Sequence, residues 1–301
     1  MSGPELSFPP GFVTRVTRAF GAEGTRWLEA LPGLISDAAI TWEIEVGPPL
    51  DLSYGYLAEA RGPDGADLVL KAAFPDDEAR RQIAALRAYD GQNACQLIAA
   101  DEERCVLLLA RIRPGNTLEA IARHDDEAAT RIGASVMRAL WRPVSEPSTF
   151  VGLETWFEAF SRYRARHGIS GSLPAALLTH AEALAESLIT STNEPALLHG
   201  DLHHGNILDA GEGRWLAIDP KGVLGDRGYE VGPFLLNPLD LTLDAALLSR
   251  RLEVFAEMLA YDWDRLRDWG VAHATLSACW SIEDHGDWER AAHAATLLAG
   301  L

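Results

Sequence analysis

The sequence predicts an α+β fold in two parts, a small β-rich part over residues 1–110 and a larger, mostly helical part over residues 111–301. In the first part, short apolar stretches such as 68–72 follow glycine and proline turns, which is typical of β-strands. In the second part, apolar residues recur every three to four positions over 126–142 and 174–190, the spacing of amphipathic helices. The 48% hydrophobic content is sufficient for a buried core.

The β-rich part combines helical and alternating patterns. Apolar residues at helical spacing predict one or two helices over 9–31. Apolar and polar residues then alternate from Ile40 to Val46, and the pattern resumes at Tyr54 after a Gly-Pro-Pro break, which predicts a β-hairpin. The elements predicted to complete this part are a strand over 68–72, a helix between Asp76 and Asp90, and a strand over 105–109.

The mostly helical part begins where the pattern breaks at residues 111–115, which we interpret as a hinge between the two parts. Four aromatic residues between its two long helices are interpreted as core rather than as a stacking surface: Trp156, Phe157, Phe160 and Tyr163. The predicted helices cover 118–122, 126–142, 174–190, 247–259, 272–280 and 288–298.

Charge and composition narrow the classes of partner. The formal net charge of −18 argues against nucleic acid, because phosphate backbones select basic surfaces, and it attracts cations. Acidic composition also serves solubility. No apolar run approaches the roughly 20 residues of a membrane helix, and no signal segment opens the chain, so we expect no membrane partner. Three cysteines without metal-ligand spacing predict reduced thiols in the cytoplasm. For the assembly we expect a monomer or a homodimer.

Polar side chains are concentrated in residues 196–221, between short apolar stretches. One stretch leads into Asp201, a second follows Asn206, and a third ends at Asp219. Phosphoryl transfer needs a carboxylate that orients and deprotonates the acceptor hydroxyl, and oxygen ligands for Mg²⁺. Asp201 suits the first task, whereas Asn206 and Asp219 suit the second. Each short motif alone is typical of an ordinary turn, but together at this spacing they favour a kinase site.

This segment resembles the aminoglycoside phosphotransferase family, which shares the protein-kinase fold. The resemblance rests on His199-Gly200-Asp201 through Asn206, followed by Ile218-Asp219-Pro220-Lys221-Gly222. The longer string from Asp219 to Asp226, with Asn237-Pro238, is similar to the streptomycin 6-phosphotransferase and hydroxyurea phosphotransferase branch. The resemblance implies a protein-kinase-like two-lobe fold, with a small β-rich N-lobe that binds nucleotide and a larger, mostly helical C-lobe, and it implies ATP or GTP with Mg²⁺.

The resemblance also implies roles outside the central segment. Lys71, one of only two lysines among 26 basic residues, would contact the nucleotide phosphates, and Glu78 on the next helix is its candidate partner. Backbone groups of Ala110 and Ile112 would bind the adenine at the hinge. Ordinary structural roles stay open, since a strand lysine commonly faces solvent and acids such as Asp76 cap helix starts.

Polar residues in and after the central segment are candidates for the acceptor site, because the resemblance implies an acceptor wall formed by the C-terminal helices. The acids as a group favour a small-molecule hydroxyl acceptor that is cationic, bearing a guanidinium or an amine, although each acid alone is typical of a solvated charge. The candidates are His203, Asp226, Glu230, Glu283 and Asp284, with a capping role as the alternative for His203 and a structural role for Asp226.

These residues predict a kinase that phosphorylates a hydroxyl of streptomycin, of another aminoglycoside or aminocyclitol antibiotic, or of hydroxyurea. A small-metabolite kinase of the choline, homoserine or sugar type would use the same central motif. A catalytically inactive nucleotide-binding scaffold is a further hypothesis, opposed by the joint presence of the four residues assigned to nucleotide, metal and proton transfer. A protein kinase is disfavoured, because the sequence has neither His-Arg-Asp nor Ala-Pro-Glu.

Overall fold

The structure, a computed structural model, describes residues 8–144, 146–168 and 171–301. By its internal contacts the chain divides into two compact units, Met1–Arg111 and Ile112–Leu301. The roles predicted from the sequence for the two parts of the chain, nucleotide binding and catalysis, stay predictions. Among the described residues, no helix is both long and apolar enough to cross a membrane.

The first unit contains an antiparallel sheet in the strand order β1-β2-β3-β5-β4. The central strand β3 pairs with β2 on one side and β5 on the other, and its last four residues alternate little in burial because both faces are covered. The strands are β1 (Glu45–Pro49), β2 (Tyr56–Arg61), β3 (Asp67–Ala72), β4 (Leu97–Asp101) and β5 (Val106–Ala110).

Two helices accompany this sheet, α1 (Pro10–Thr41) and α2 (Asp77–Tyr89). Helix α1 is interrupted at Gly21, whose positive φ of 59° joins two helical segments, as the sequence pattern allowed. The apolar face of α1 and the inner face of the sheet form the core of this unit. Helix α2 begins at an N-cap, where the Asp76 carboxylate accepts the Ala79 N–H at 2.8 Å.

The second unit is mainly helical. Its helices are α3 (Glu119–Ala122), α4 (Asp126–Leu140), α5 (Leu153–His167), α6 (Ala175–Thr190), α7 (Val231–Leu236), α8 (Ala245–Leu259), α9 (Trp263–Glu283) and α10 (Glu289–Ala299). Helix α9 packs against α5, α6, α7, α8 and α10, and 11 of its residues are buried, so it forms the centre of this unit.

Two small sheets hold the polar segment of the second unit. One has the order β6-β10-β7, from β6 (Val151–Gly152), β7 (Ala196–Leu198) and β10 (Val223–Gly225). The other pairs β8 (Ile207–Asp209) with β9 (Trp215–Ala217) as an antiparallel hairpin. Short strands of this kind fix the backbone on both sides of a loop, so the loop between β7 and β8 is anchored at each end.

The structure corrects two predictions about elements and adds two elements. The strand predicted from Ile40 is wrong over its first half, because α1 continues to Thr41 and leaves Ile40 75% exposed; the strand itself begins at Glu45. Helix α9 starts nine residues before the predicted Ala272, at an N-cap where the Asp262 carboxylate accepts the Arg265 N–H at 2.8 Å. Strand β4 and helix α5 were not predicted as elements.

One buried ion pair ties three elements of the second unit together. Arg251 on α8 is 1% exposed, and its guanidinium donates to both carboxylate oxygens of Asp126 at the start of α4, at 2.5–3.2 Å. The same guanidinium donates to the backbone oxygens of Phe234, Leu235 and Asn237 at 3.1, 3.3 and 2.7 Å. A planar fork with five N–H groups is suited to such a site, since it satisfies the carboxylate and the open end of α7 together.

We expect Arg251→Ala to lower the free energy of unfolding by about 3–5 kcal/mol, because it leaves a partly buried carboxylate and several carbonyl oxygens without their donor. Chemical denaturation followed by circular dichroism measures this difference. The neighbouring Arg250 is exposed, so Arg250→Ala serves as a control that should change stability by at most about 0.5 kcal/mol. Equal stability of the two variants would contradict a structural role for the Arg251 fork.

Candidate functional site

The loop between β7 and β8 carries Asp201 and Asn206, and a hydrogen bond links the two residues. The amide nitrogen of Asn206 donates to the backbone oxygen of Asp201 at 2.9 Å. This bond fixes the amide orientation, because the nitrogen is used inside the loop and the amide oxygen is left as an acceptor on the other side. Both residues are half-buried, so the loop presents a carboxylate and an amide oxygen from a fixed backbone.

The β8–β9 hairpin brings Asp219 next to this loop. Ile207 pairs with Ala217, and beyond the ladder the Ile218 N–H donates to the Asn206 backbone oxygen at 2.9 Å. Asp219 follows with a φ of 58°, a left-handed conformation that residues other than glycine rarely adopt. The backbone thus turns at Asp219, one residue after the Ile218 N–H that bonds the Asn206 backbone oxygen.

A neutral histidine connects the two halves of the site. His199 accepts the Asp201 N–H at its Nδ1 atom, at 3.2 Å, so the proton of the ring is on Nε2. Nε2 then donates to the backbone oxygen of Ile218 at 2.7 Å. Complete burial lowers the pKa of His199 to about 3, which keeps the ring neutral. His199 therefore braces the loop through the backbone carbonyl of Ile218.

A buried carboxylate holds the backbone just before Asp201. Glu230 is 0% exposed, and its two oxygens accept the N–H groups of His199 and Gly200 at 2.8 and 2.9 Å. Burial raises the pKa of Glu230 to about 7, against the two N–H bonds that favour the charged form, and the neighbouring Asp201 raises it further. Glu230 thus holds the backbone of the loop by accepting two of its N–H groups, a role that no sequence pattern indicated.

Two of the acids proposed from the sequence for the acceptor wall are buried inside the fold. Glu230 is fully buried against the loop backbone, as described above. Asp226 is 4% exposed, pairs with the Arg265 guanidinium, and accepts the Tyr261 hydroxyl at 2.7 Å and the Gly228 N–H at 2.6 Å. Both carboxylates are used within the fold, so the assignment of these two residues to the acceptor wall is corrected, and the structural alternative for Asp226 is favoured.

The other acceptor candidates lie nearer the surface. Glu283, at the end of α9, accepts two bonds from Arg162 at 3.0 and 3.2 Å, and Asp284 follows it in an exposed position. The Nδ1 atom of His203 accepts the Gly205 N–H at 3.1 Å and so caps the short helical turn His204–Asn206. Their contact with an acceptor stays a prediction.

In the first unit, Lys71 lies on β3 between Leu57 and Leu107 and is 8% exposed. A buried ammonium is costly unless it is paired, so this lysine does not follow the ordinary pattern of a solvent-facing strand lysine. Glu78 is the second residue of α2 and is exposed. The pairing of Lys71 with Glu78 stays a prediction.

The predicted adenine contacts fall at the end of β5. The Ala110 N–H donates to the Gln96 oxygen at 2.9 Å, and the Arg111 N–H donates to the Asp67 oxygen at 3.1 Å, so both donors are used inside the first unit. Among the hydrogen bonds of the described residues, the Ile112 N–H has no acceptor. Ile112 therefore offers a backbone donor, whereas Ala110 offers only its oxygen, which also accepts the Cys95 thiol at 3.2 Å.

The donor set of the second unit fits Mg²⁺. This ion takes hard oxygen ligands in an octahedron, commonly one or two from the protein, with waters and substrate phosphates completing it. The carboxylate of Asp219 and the amide oxygen of Asn206 are such ligands. Among the described residues, no group of three or more His, Cys, Asp or Glu forms a complete protein cage for a metal. The fit is therefore to an ion shared with a phosphate ligand.

Comparison with known proteins agrees with this geometry. Residues 47–285 match the family described as aminoglycoside/hydroxyurea antibiotic resistance kinase. A hydroxyurea phosphotransferase from Kitasatospora aureofaciens is 29% identical over 94% of this chain and 82% of its own length. A streptomycin 6-kinase from Streptomyces glaucescens is 30% identical over 93% of this chain and 92% of its own length.

A solved structure shows the fold. The chain matches a choline kinase from Streptococcus pneumoniae with a TM-score of 0.63 and 14% sequence identity, over 91% of this chain and 100% of that chain. This likeness confirms the predicted α+β, protein-kinase-like fold, with a small sheet in the first unit and a mostly helical remainder. With the family match over most of the sequence, it follows that the chain belongs to the aminoglycoside/hydroxyurea antibiotic resistance kinases.

Proposed function

We propose that the protein transfers the γ-phosphate of ATP or GTP to a hydroxyl of streptomycin or a related aminoglycoside, or of hydroxyurea. The observation that supports it most is the hydrogen-bonded backbone that carries Asp201, Asn206 and, one residue after the Ile218 N–H bond, Asp219, in a chain of this kinase family. The relatives named for streptomycin and hydroxyurea supply the acceptor classes.

In this proposal Asp201 accepts the proton of the acceptor hydroxyl as the oxygen attacks phosphorus. The Asp201 backbone is held on both sides, since its N–H donates to His199 and its carbonyl accepts the Asn206 amide. A carboxylate with a fixed backbone has few ways to leave the line of attack, which is the positioning that phosphoryl transfer requires.

Asn206 and Asp219 would hold Mg²⁺ through their side-chain oxygens. A bound magnesium ion neutralises charge on the nucleotide phosphates and orients them. His199 keeps Asp201 in register with Asp219, because it joins the Asp201 backbone to the residue before Asp219. Lys71 would contact the nucleotide phosphates, Glu78 would fix Lys71, and the Ile112 N–H with the Ala110 oxygen would bind the adenine.

The alternatives have less support. A small-metabolite kinase shares the fold, as the choline kinase match shows, but that match is 14% identical, whereas the streptomycin and hydroxyurea relatives are 29–30% identical. An inactive scaffold would have no need of the strained backbone at Asp219. A cytoplasmic location is part of the proposal, and Cys95, Cys105 and Cys279 are all thiols rather than half-cystines. Its assembly as a monomer or a homodimer stays a prediction.

The direct test incubates the purified protein with ATP or GTP, Mg²⁺ and one acceptor at a time, and detects phosphorylated product by mass spectrometry. The acceptors are streptomycin, a second aminoglycoside, hydroxyurea, choline and homoserine. Transfer to streptomycin or hydroxyurea supports the proposal. Transfer to choline or homoserine alone would establish the metabolite alternative, and nucleotide binding without any transfer would establish the scaffold.

For Asp201→Asn we expect the transfer rate to fall at least about a hundredfold, because the variant keeps the shape of the side chain and loses the proton acceptor. Nucleotide affinity and the melting temperature should stay close to those of the parent protein. Glu212, exposed in the β8–β9 turn, provides the matched control Glu212→Gln. Near-normal turnover in folded Asp201→Asn would remove Asp201 from the mechanism.

The two proposed magnesium ligands should differ in strength. A carboxylate carries a formal charge, whereas an amide oxygen offers only a dipole, so Asp219→Ala should nearly abolish magnesium-dependent nucleotide affinity. Asn206→Ala should weaken it and keep residual turnover at high magnesium. Titration of Mg²⁺ against nucleotide binding measures both. If Asp219→Ala binds the magnesium–nucleotide complex as the parent does, the metal assignment is wrong.

Glu230 should make stability depend on pH. Its folded-state pKa of about 7 exceeds the ordinary 4.5, so the folded protein holds a proton that the unfolded chain has lost between these values. The contribution of Glu230 to the free energy of unfolding is therefore most favourable below about pH 4.5 and declines until about pH 7, by roughly 3 kcal/mol. Above pH 7 it is constant.

Glu230→Gln removes this titration. The difference in free energy of unfolding, parent minus Glu230→Gln, should fall as the pH rises from 5 to 7 in denaturation experiments. The same difference for the exposed control Glu212→Gln should show no such fall. A flat Glu230→Gln difference over this range would mean that the buried carboxyl titrates normally.

A further inference from the structure

Two half-buried tryptophans form a corner beside the loop that carries Asp201. The Trp156 ring on α5 and the Trp280 ring on α9 have centroids 5.6 Å apart and planes at 79°. Both belong to the second unit, and both keep part of their surface exposed, whereas their aromatic neighbours Phe157, Tyr229 and Trp269 are buried. In the angle between two nearly perpendicular rings, a bound group can face both π-systems.

The corner is in contact with the catalytic loop. Gly200, the residue before Asp201, has a φ of 86°, and a Cβ atom placed there would come within 2.7 Å of the Trp156 ring. The same atom would approach Val223 at 3.0 Å and the Lys221 Cβ at 3.3 Å. The loop backbone therefore packs closely against the edge of Trp156, and a group held in the corner would be a neighbour of the proposed proton acceptor.

The electrostatics of the corner favour a cation. Trp280 lies in the last turn of the 21-residue helix α9, where the aligned peptide dipoles give the helix end a partial negative charge. The acidic residues Glu283 and Asp284 follow within one turn, and Glu283 accepts two hydrogen bonds from Arg162. Aromatic faces attract cations through their quadrupole, and tryptophan does so most strongly.

The chain already contains one contact of this type. At the opposite end of α9, the Arg267 guanidinium lies over the Trp263 ring, 5.5 Å from its centroid. Trp280 has no such cation from the chain, among the cation–aromatic contacts of the described residues. Its exposed surface is turned to solvent at the acidic end of the helix.

We propose that Trp156 and Trp280 bind the cationic group, a guanidinium or ammonium, of the acceptor whose hydroxyl is presented to Asp201. This inference rests on the proposed kinase function. It assigns recognition of the acceptor to two aromatic rings, whereas the sequence pattern assigned it to acidic residues. Buried Asp226 and Glu230 take no part in it, and the aromatic faces, supported by the acidic end of α9, select the acceptor. A neutral acceptor such as hydroxyurea gains little from the corner.

The test uses Trp280→Leu, which removes the π-face and keeps an apolar side chain, and Trp280→Phe, which keeps a smaller π-face. Trp263→Leu, on the same helix and also half-buried, is the matched control. For each protein, calorimetry gives the Kd of streptomycin, which bears guanidinium groups, and kinetics give KM and kcat for streptomycin, hydroxyurea and ATP. Thermal melts establish that each variant is folded.

We expect Trp280→Leu to raise the Kd and KM of streptomycin about tenfold, within the range of a cation held by an aromatic face. Trp280→Phe should recover most of the affinity, and the KM values of hydroxyurea and ATP should stay within about twofold. Trp263→Leu should resemble the parent. Asp201→Asn should lower kcat and leave the Kd of streptomycin unchanged.

Three results would overturn the inference: no binding of streptomycin by the parent protein, equal streptomycin affinity in Trp280→Leu and the parent, or equal losses for streptomycin and hydroxyurea. Failure of the proposed function gives a different pattern. In that case the parent binds streptomycin in a Trp280-dependent way and transfers no phosphate to it. This result would support the cation-binding site and contradict the proposed reaction.

Discussion

The site depends on one neutral imidazole placed between two backbone groups. His199 accepts the Asp201 N–H at one nitrogen and donates to the Ile218 oxygen from the other. A charged ring would carry a proton on both nitrogens and could not accept the Asp201 N–H. Burial excludes that charged form, since it lowers the His199 pKa to about 3. Burial therefore keeps His199 neutral, and the neutral ring links the backbone of Asp201, the proposed proton acceptor, to the residue before Asp219, the proposed metal ligand.

The loop is held at a cost in electrostatics. Glu230 brings a second carboxyl group close to Asp201 in a fully buried position, and burial, together with the Asp201 carboxylate, raises the pKa of Glu230. The N–H bonds from His199 and Gly200 offset part of that cost. Because an apolar residue in place of Glu230 would leave both N–H groups unsatisfied, the carboxyl group is retained despite its raised pKa. A different cost, backbone strain, is present at Asp219, whose φ is positive.

The sequence predicted the parts of the molecule that local chemistry determines. The spacing of Asp201, Asn206 and Asp219 singled out a segment whose backbone the structure joins by hydrogen bonds, and the amphipathic helices follow from the period of their apolar residues. The strand start at Ile40 was wrong because alternation over a few residues also fits the last turn of a helix. The roles of Asp226 and Glu230 could not be predicted, since an acid that is buried by tertiary packing and one that faces solvent have the same local sequence.

Two arginines of this chain each serve several acceptor oxygens of the fold. Where one positive charge serves several oxygens of the fold, the residue is arginine: Arg251 meets a carboxylate and three carbonyls, and Arg265 meets Asp226 and the Leu188 oxygen. The two lysines occur elsewhere, Lys71 within the central strand and Lys221 against Gly200 of the loop. A compact ammonium suits a position where a phosphate oxygen of a ligand must be reached in a narrow space, whereas a planar fork would displace the neighbouring backbone. The cation proposed to contact the nucleotide phosphates, Lys71, is thus a lysine, whereas the cations that hold several oxygens of the fold are arginines.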